Sequence, residues 1–396
     1  MKRFKKVIQI FLVLLIIVGA SLYFLAPHPP DTPKQVKAVT ELEAYLNQLV
    51  KSGGPPGLSL VVVKDGQIVY NNAFGYADKP HNIRATSDTV YHWWSMTKIP
   101  TAIAIMQLQE QGKVDLDEPV EKYLPWFDVI YPSAQSPIIT IRNLLQHTSG
   151  LPDTIPAMVG WVHYDDETPN QTEIVKKQLP KFNKLKFTPG SKAVYSNLNY
   201  LVLGAIIESV SGQTYEAYII QNILQPLGMS HTDFVFMPEM ANQEAAGTLP
   251  VAHLYTVLLP TILDPRDLIR ERQGKFLWLN RVYIDATPST GLIGSAPDMA
   301  RLIIAYLNLG SLDGKSILSP ESISLLTNTK PIDGHGLGWF VYESKNEHYL
   351  EHAGGGPGFA TTMRLYPDTG LGIAILSNGT DLDREGLMDL FSQLEW

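Results

Sequence analysis

The chain has 396 residues, 45% of them hydrophobic and 18% charged, with no cysteine and a formal net charge of −8. That length supports one large or two small domains with a substantial core, and nothing in the composition indicates disorder. The missing cysteines exclude a disulfide framework, a thiolate nucleophile and a cysteine-type zinc site, and the acidic balance argues against nucleic-acid binding.

The first element is an apolar run from Val7 to Leu25, broken only by Gln9 and Ser21 and preceded by Lys2, Arg3, Lys5 and Lys6. As a helix it is about 28 Å long, close to the roughly 30 Å hydrocarbon core of a bilayer. A cleaved signal peptide with Val18-Gly19-Ala20 as its small-residue site competes with an uncleaved anchor. The anchor is favoured, because apolar residues continue past Ala20, whereas a cleavable core is only about 7 to 15 residues long. The expectation is a cytoplasmic tail over 1–6, a single-pass anchor over 7–26, a proline-rich linker over 27–37, and a domain over 38–396 on the extracytoplasmic side of the cell membrane. Without its first thirty residues the chain keeps 27 basic and 39 acidic residues, a net charge of −12.

After the linker, Leu42, Tyr45, Leu46 and Leu49 recur at helical spacing and predict a helix over 39–51. Two strand-like runs follow, Leu58 to Val63 and Gln67 to Phe74, joined by Lys64-Asp65-Gly66, whose Asp-Gly pair marks a hairpin. The middle reads as mostly helical, with helices over 99–111, 140–147, 199–210 and 215–224, the last stopping at Pro226. A further helix follows the capping pattern Ser295-Ala296-Pro297-Asp298. Strands return at 338–342, 361–366 and 371–376. The predicted architecture is α/β: one antiparallel sheet built from both chain ends, with a mainly helical subdomain at about 113–290 inserted between them.

Three short clusters carry chemistry. Ser95-Met96-Thr97-Lys98 sets a hydroxyl and an amine three residues apart at the start of a predicted helix, on one face of it. Serine needs a neighbouring base, and a desolvated lysine can fall from about 10.4 towards 7 to 8. Alone, this spacing is expected by chance in most chains of such length. Tyr195-Ser196-Asn197 lies between the turn Phe187-Thr188-Pro189-Gly190 and a helix, so its phenol can project from a loop end, unlike the equally spaced Tyr70 and Tyr306. His352-Ala353-Gly354-Gly355 sits in a glycine-rich stretch before a strand, where missing side chains let a backbone N–H approach a reacting carbonyl oxygen.

In this order and context the clusters resemble the serine β-lactamase and penicillin-binding-protein-like family, nearest its class C β-lactamase, D-aminopeptidase and esterase branch. The resemblance covers about residues 40 to 390. It includes Gly112-Lys113-Val114-Asp115-Leu116, His147-Thr148-Ser149-Gly150-Leu151, Pro226-Leu227-Gly228-Met229 and the stretch from Gly291 to Arg301, and is weakest over 237–288. It implies metal-free and cofactor-free hydrolysis through an acyl-enzyme. Ser95 would be the nucleophile, Lys98 and Tyr195 would share proton transfer, and the N–H groups of Ser95 and Gly355 would form the oxyanion hole. Asn197, His352 and Gly354 would contact a small-molecule or peptide substrate. His147 reads as tying its loop to the helix end.

Family members acting on β-lactams or D-Ala-D-Ala peptides commonly carry Lys-Thr-Gly at the third cluster, where this chain has His352-Ala353-Gly354. A neutral histidine and an alanine remove a charge-assisted contact worth about 1.5 to 3 kcal/mol. Weak or no β-lactamase activity is therefore expected, on an ester, amide or peptide substrate. The alternatives are a D-Ala-D-Ala-type carboxypeptidase or β-lactamase and, in another class, a non-catalytic relative binding peptidoglycan or a protein. A second departure is the apolar stretch 251–263 followed by Arg266, Arg270, Arg272 and Lys275, read either as extra packing or as an interfacial segment touching the bilayer or lidding the site. Asn170 and Asn378 open glycosylation sequons.

Overall fold

A computed structural model describes residues 26–153, 162–344 and 347–396. Helix α1 (Val39–Ser52) buries Leu42, Tyr45, Leu46 and Leu49 as their spacing requires. Strands β1 (Gly57–Lys64) and β2 (Gln67–Asp78) form the expected hairpin, with Asp65 and Gly66 at φ of 50° and 77°, the doubly left-handed turn that an Asp-Gly pair accommodates. With β3 (Ile83–Arg84), β4 (Phe340–Glu343), β5 (His348–Gly356), β6 (Phe359–Tyr366) and β7 (Leu371–Ser377) they make one antiparallel sheet in the order β4-β5-β6-β7-β1-β2-β3. The two chain ends meet where Leu58 pairs with Ser377.

Both faces of the sheet are covered. Leu58, Leu60 and Val62 of β1 pack with α1 and the C-terminal helix, while Val61 and Val63 join the large core on the other side. Alternate side chains of a strand point to opposite faces, so a strand buried on both sides reads as an unbroken apolar run. That second core holds helices α2 (Lys98–Glu110), α3 (Asn197–Ser211) and α4 (Ala296–Leu307); α5 (Arg384–Ser392) closes the chain.

The structure differs from expectation in five places. The glycine-rich stretch at the third cluster is itself a strand, β5, because pairing with β6 from Leu350–Leu365 to Gly356–Phe359 outweighs the poor strand preference of glycine. Between the helices lies a three-stranded sheet of Thr248–Pro250, Phe276–Leu279 and Ile269–Gln273. The helix from Tyr215 continues through a π turn and past Pro226 to Leu227. At α4, Ser295 Oγ accepts from Asp298 N, but the Asp298 carboxylate turns away to accept from His231 N and Thr232 Oγ1, so the capping box is half formed. Asn378 is fully buried, its amide donating to the carbonyls of Tyr76, Ala77 and Ala246, which leaves no room for a glycan. The expected anchor over 7–26 lies outside the described residues except for Ala26. Among the described residues no helix is long and apolar enough to cross a membrane.

Candidate active site

Ser95 lies in a single 3-10 turn, Trp94–Thr97, that runs directly into α2. Trp94 takes a φ of 49°, a left-handed backbone that bends the chain sharply just before Ser95. From Tyr91 to Pro100 Ser95 is the one residue that is not buried. The hydroxyl therefore sits at the surface of a rigid, packed turn.

Strand β5 packs bare backbone against this turn. A Cβ on Gly354 would overlap the carbonyl oxygen of Trp93, and one on Gly356 would enter the Trp94 ring. Thr361 Oγ1 donates to the same Trp93 oxygen, pinning the turn from the neighbouring strand. Gly355, between them, is exposed and faces the cleft side. Beyond Glu351 the β4 pairing ends, so the Ala353–Gly355 edge of β5 is bounded by the serine turn rather than by another strand. Gly354→Ala is expected to push β5 off the turn and lower kcat/KM by about 10²-fold while circular dichroism still reports a folded protein.

Lys98 is fully buried, and its Nζ donates to Asn197 Oδ1 at 2.8 Å and to the Ser289 carbonyl at 2.9 Å. It lies 4.9 Å from the centroid of the Tyr195 ring and 5.4 Å from that of Tyr200. Burial holds its pKa well below the usual lysine range, with the Asp153 carboxylate opposing the shift. Tyr195 arrives on an extended segment just before α3 and shares a hydrogen bond with Ser95. Burial raises its phenol, and the Ser95 contact partly offsets that. Serine, lysine and tyrosine thus meet in one place, as the sequence clusters suggested.

Neutral rings frame this cluster. His147 stacks on Tyr195 with centroids 4.4 Å apart, and its Nδ1 accepts from Ser196 N at 3.1 Å, which ties the loop to the start of α3. His352 is buried on β5, with Nδ1 donating to the Ala353 carbonyl. Burial and the nearby Lys98 lower its pKa to about 3. It is uncharged at neutral pH, in line with the expected loss of a cation at this position.

Two residues that sequence reasoning passed over belong here. Asp153 accepts from both the backbone N and the Nδ2 of Asn197, each at 3.2 Å, which leaves the Asn197 oxygen turned to Lys98. It follows directly on His147-Thr148-Ser149-Gly150-Leu151-Pro152, and that adjacency was a usable signal. Arg384, the first residue of α5, donates from Nη1 to the Gly354 carbonyl at 2.7 Å, and a Cβ on Gly355 would lie 3.0 Å from the same nitrogen. No motif surrounds it, and only the fold brings it to the cleft. Among the described residues no group of histidines and carboxylates is arranged to hold a metal ion.

The family model described as Beta-lactamase matches residues 42–394. Protein flp of Staphylococcus aureus (strain N315) is 28% identical over 352 residues, covering 88% of this chain and 63% of that protein. The chain therefore spans less than two thirds of the length of the first curated relatives it matches. The putative D-alanyl-D-alanine carboxypeptidase of Escherichia coli (strain K12) is 30% identical over 342 residues, covering 79% of this chain and 74% of that protein. Among solved structures, the octameric penicillin-binding protein homologue of Pyrococcus abyssi superposes with a TM-score of 0.68 at 27% identity, covering 89% of this chain and 76% of that one.

Proposed function

Because this chain belongs to the Beta-lactamase family, a family of serine hydrolases, we propose that it hydrolyses an ester, amide or peptide through a covalent acyl-enzyme on Ser95. The observation that carries the reading is the placement of the Ser95 hydroxyl at a cleft surface, hydrogen-bonded to Tyr195, with the buried amine of Lys98 under the same phenol ring.

The two neighbours are pushed in opposite directions. Lys98 is depressed, so a neutral amine is accessible as a base, while Tyr195 is raised and keeps its proton. In the proposed acylation Ser95 Oγ attacks the carbonyl carbon. Its proton passes through the Tyr195 hydroxyl towards Lys98 and returns to the leaving group. The N–H groups of Ser95 and Gly355 receive the developing oxyanion, where losing one donor costs about 10² to 10³ in rate. Asn197 has a double task, orienting Lys98 and offering its amide towards the substrate. Residues 7–26, as an uncleaved membrane anchor, would hold the domain on the extracytoplasmic face of the cell membrane.

A second reading, a carboxypeptidase acting on peptides that end in a carboxylate, is favoured by Arg384. The cation that His352 fails to supply reaches the same strand from α5. The likeness to a putative D-alanyl-D-alanine carboxypeptidase points the same way. Arg384→Ala is expected to lower kcat/KM for a carboxylate-terminated peptide by about 10- to 100-fold relative to a neutral ester, the loss of one charge-assisted contact. An unchanged ratio favours the neutral-substrate reading.

Intact-mass labelling tests the common premise. One fluorophosphonate adduct and no penicillin adduct supports an esterase or amidase, and both adducts support the peptidase. Neither adduct on a folded protein overturns the acyl-enzyme. Nitrocefin turnover at the rate of a resistance enzyme overturns the expectation of weak β-lactamase activity.

A further inference from the structure

The 251–275 stretch resolves into two faces. Helix Leu254–Leu258 and the 3-10 turn Leu259–Thr261 turn Leu259 inward, where it joins Leu249, Leu268 and Leu279 in a small core. The opposite face presents Leu254, Val257, Leu258 and Ile262, between 45% and 69% exposed. Four of the fourteen exposed large apolar side chains among the described residues thus fall within nine consecutive positions. Scattered single apolar residues on a surface are ordinary, but such a cluster is not. The extra-packing reading accounts for Leu259 and leaves these four unexplained.

The place where the chain enters the domain supplies the occupant. Lys275 Nζ donates to the Ala26 carbonyl at 2.7 Å, and the Lys275 carbonyl accepts from Val251 N at 2.8 Å. The apolar run 7–25 is therefore joined to the domain beside the very strand that leads into the exposed helix. Any bilayer crossed by that run lies next to Leu254 to Ile262.

We propose that Leu254, Val257, Leu258 and Ile262 seat in the headgroup and acyl boundary of the membrane that residues 7–25 cross. The inference rests on the anchor reading. It deepens the proposed function, because the same segment adjoins the site: His253 Nε2 lies 3.4 Å from Asp381, just ahead of α5, whose Arg384 contacts Gly354. A seated segment brings the cleft mouth to the level of lipid headgroups and favours amphiphilic, membrane-borne substrates. Charge contributes little, since Arg266, Arg270, Arg272 and Lys275 nearly cancel Asp264, Asp267 and Glu271 over 251–275. Zwitterionic lipid should suffice.

The chain has no cysteine, so Val257→Cys in the full-length protein offers a unique site for an environment-sensitive fluorophore. Ile138→Cys, at a position 53% exposed outside the segment, is the control. Both are reconstituted into phosphatidylcholine vesicles with spin-labelled lipids, and flotation is scored in parallel. The expected result is flotation of both variants, with lipid quenching at position 257 alone and a depth of about 5 to 10 Å from the surface. A chain that floats but shows equal quenching at 257 and 138 overturns the seating and spares the anchor. A chain that does not float overturns both. Quenching that tracks protein concentration instead of spin-labelled lipid assigns the face to a second copy and also overturns the seating.

Discussion

Ser95→Ala is expected to lower kcat by about 10³ to 10⁶ on any substrate the wild type hydrolyses, the range seen when a covalent nucleophile is removed and only binding and oxyanion stabilisation remain. The change deletes one oxygen from a residue that is not buried, so Trp93, Trp94 and Met96 keep their packing and the thermal midpoint should stay within a few degrees. Tyr195 loses its hydrogen-bond partner and Lys98 keeps both of its own. Adding Tyr195→Phe to Ser95→Ala should therefore cost nothing more, because residues that act as a unit are not additive. The measurement is kcat on a neutral p-nitrophenyl ester, paired with intact mass after fluorophosphonate treatment. An alanine variant that still turns over and still takes the label would place the nucleophile elsewhere.

The parts of this architecture legible in the sequence are those where local chemistry and tertiary demand agree. Asp65-Gly66 needs two left-handed residues and has the pair that tolerates them, and Leu42, Tyr45, Leu46 and Leu49 fit one helix face against one sheet face. Ser95, Lys98 and Tyr195 could be picked out because the family resemblance supplied the context that a three-residue spacing lacks. Strand β5 was hidden for the reason that makes it useful: Gly354 and Gly356 are glycines so that backbone can lie on Trp93 and Trp94, and that pattern reads locally as a loop. Arg384 was illegible on different grounds. Its place in the cleft is set by where α5 begins after the last strand, a long-range fact with no local signature. The two faces of the Leu254 helix share one apolar composition, and only coordinates separate Leu259 from its exposed neighbours.

Lys98→Met should remove activity and, separately, change how stability depends on pH. Loss of the base costs about 10² to 10⁴ in kcat/KM, with Ser95 and Tyr195 still present. For stability, the direction of the Lys98 shift decides the sign. In the unfolded chain the amine titrates near 10.4, whereas in the folded protein burial holds it well below that value, Asp153 opposing only in part. Above both values the amine is neutral in both states and titration contributes nothing. As pH falls below about 10.4, the unfolded chain takes up a proton that the folded protein does not, so wild type loses about 1.4 kcal/mol per pH unit until the native pKa is reached. Methionine escapes this cost but leaves the Asn197 and Ser289 oxygens without a donor, a fixed penalty of about 1 to 3 kcal/mol for each buried acceptor. The absolute order of the two proteins therefore depends on pH, while the trend does not: wild type gains on Lys98→Met as pH rises from about 7 to about 10. Urea unfolding at several pH values in that window measures the difference. Parallel stability curves would mean that the amine keeps an ordinary pKa in its pocket, and a lysine charged throughout could not serve Ser95 as a base.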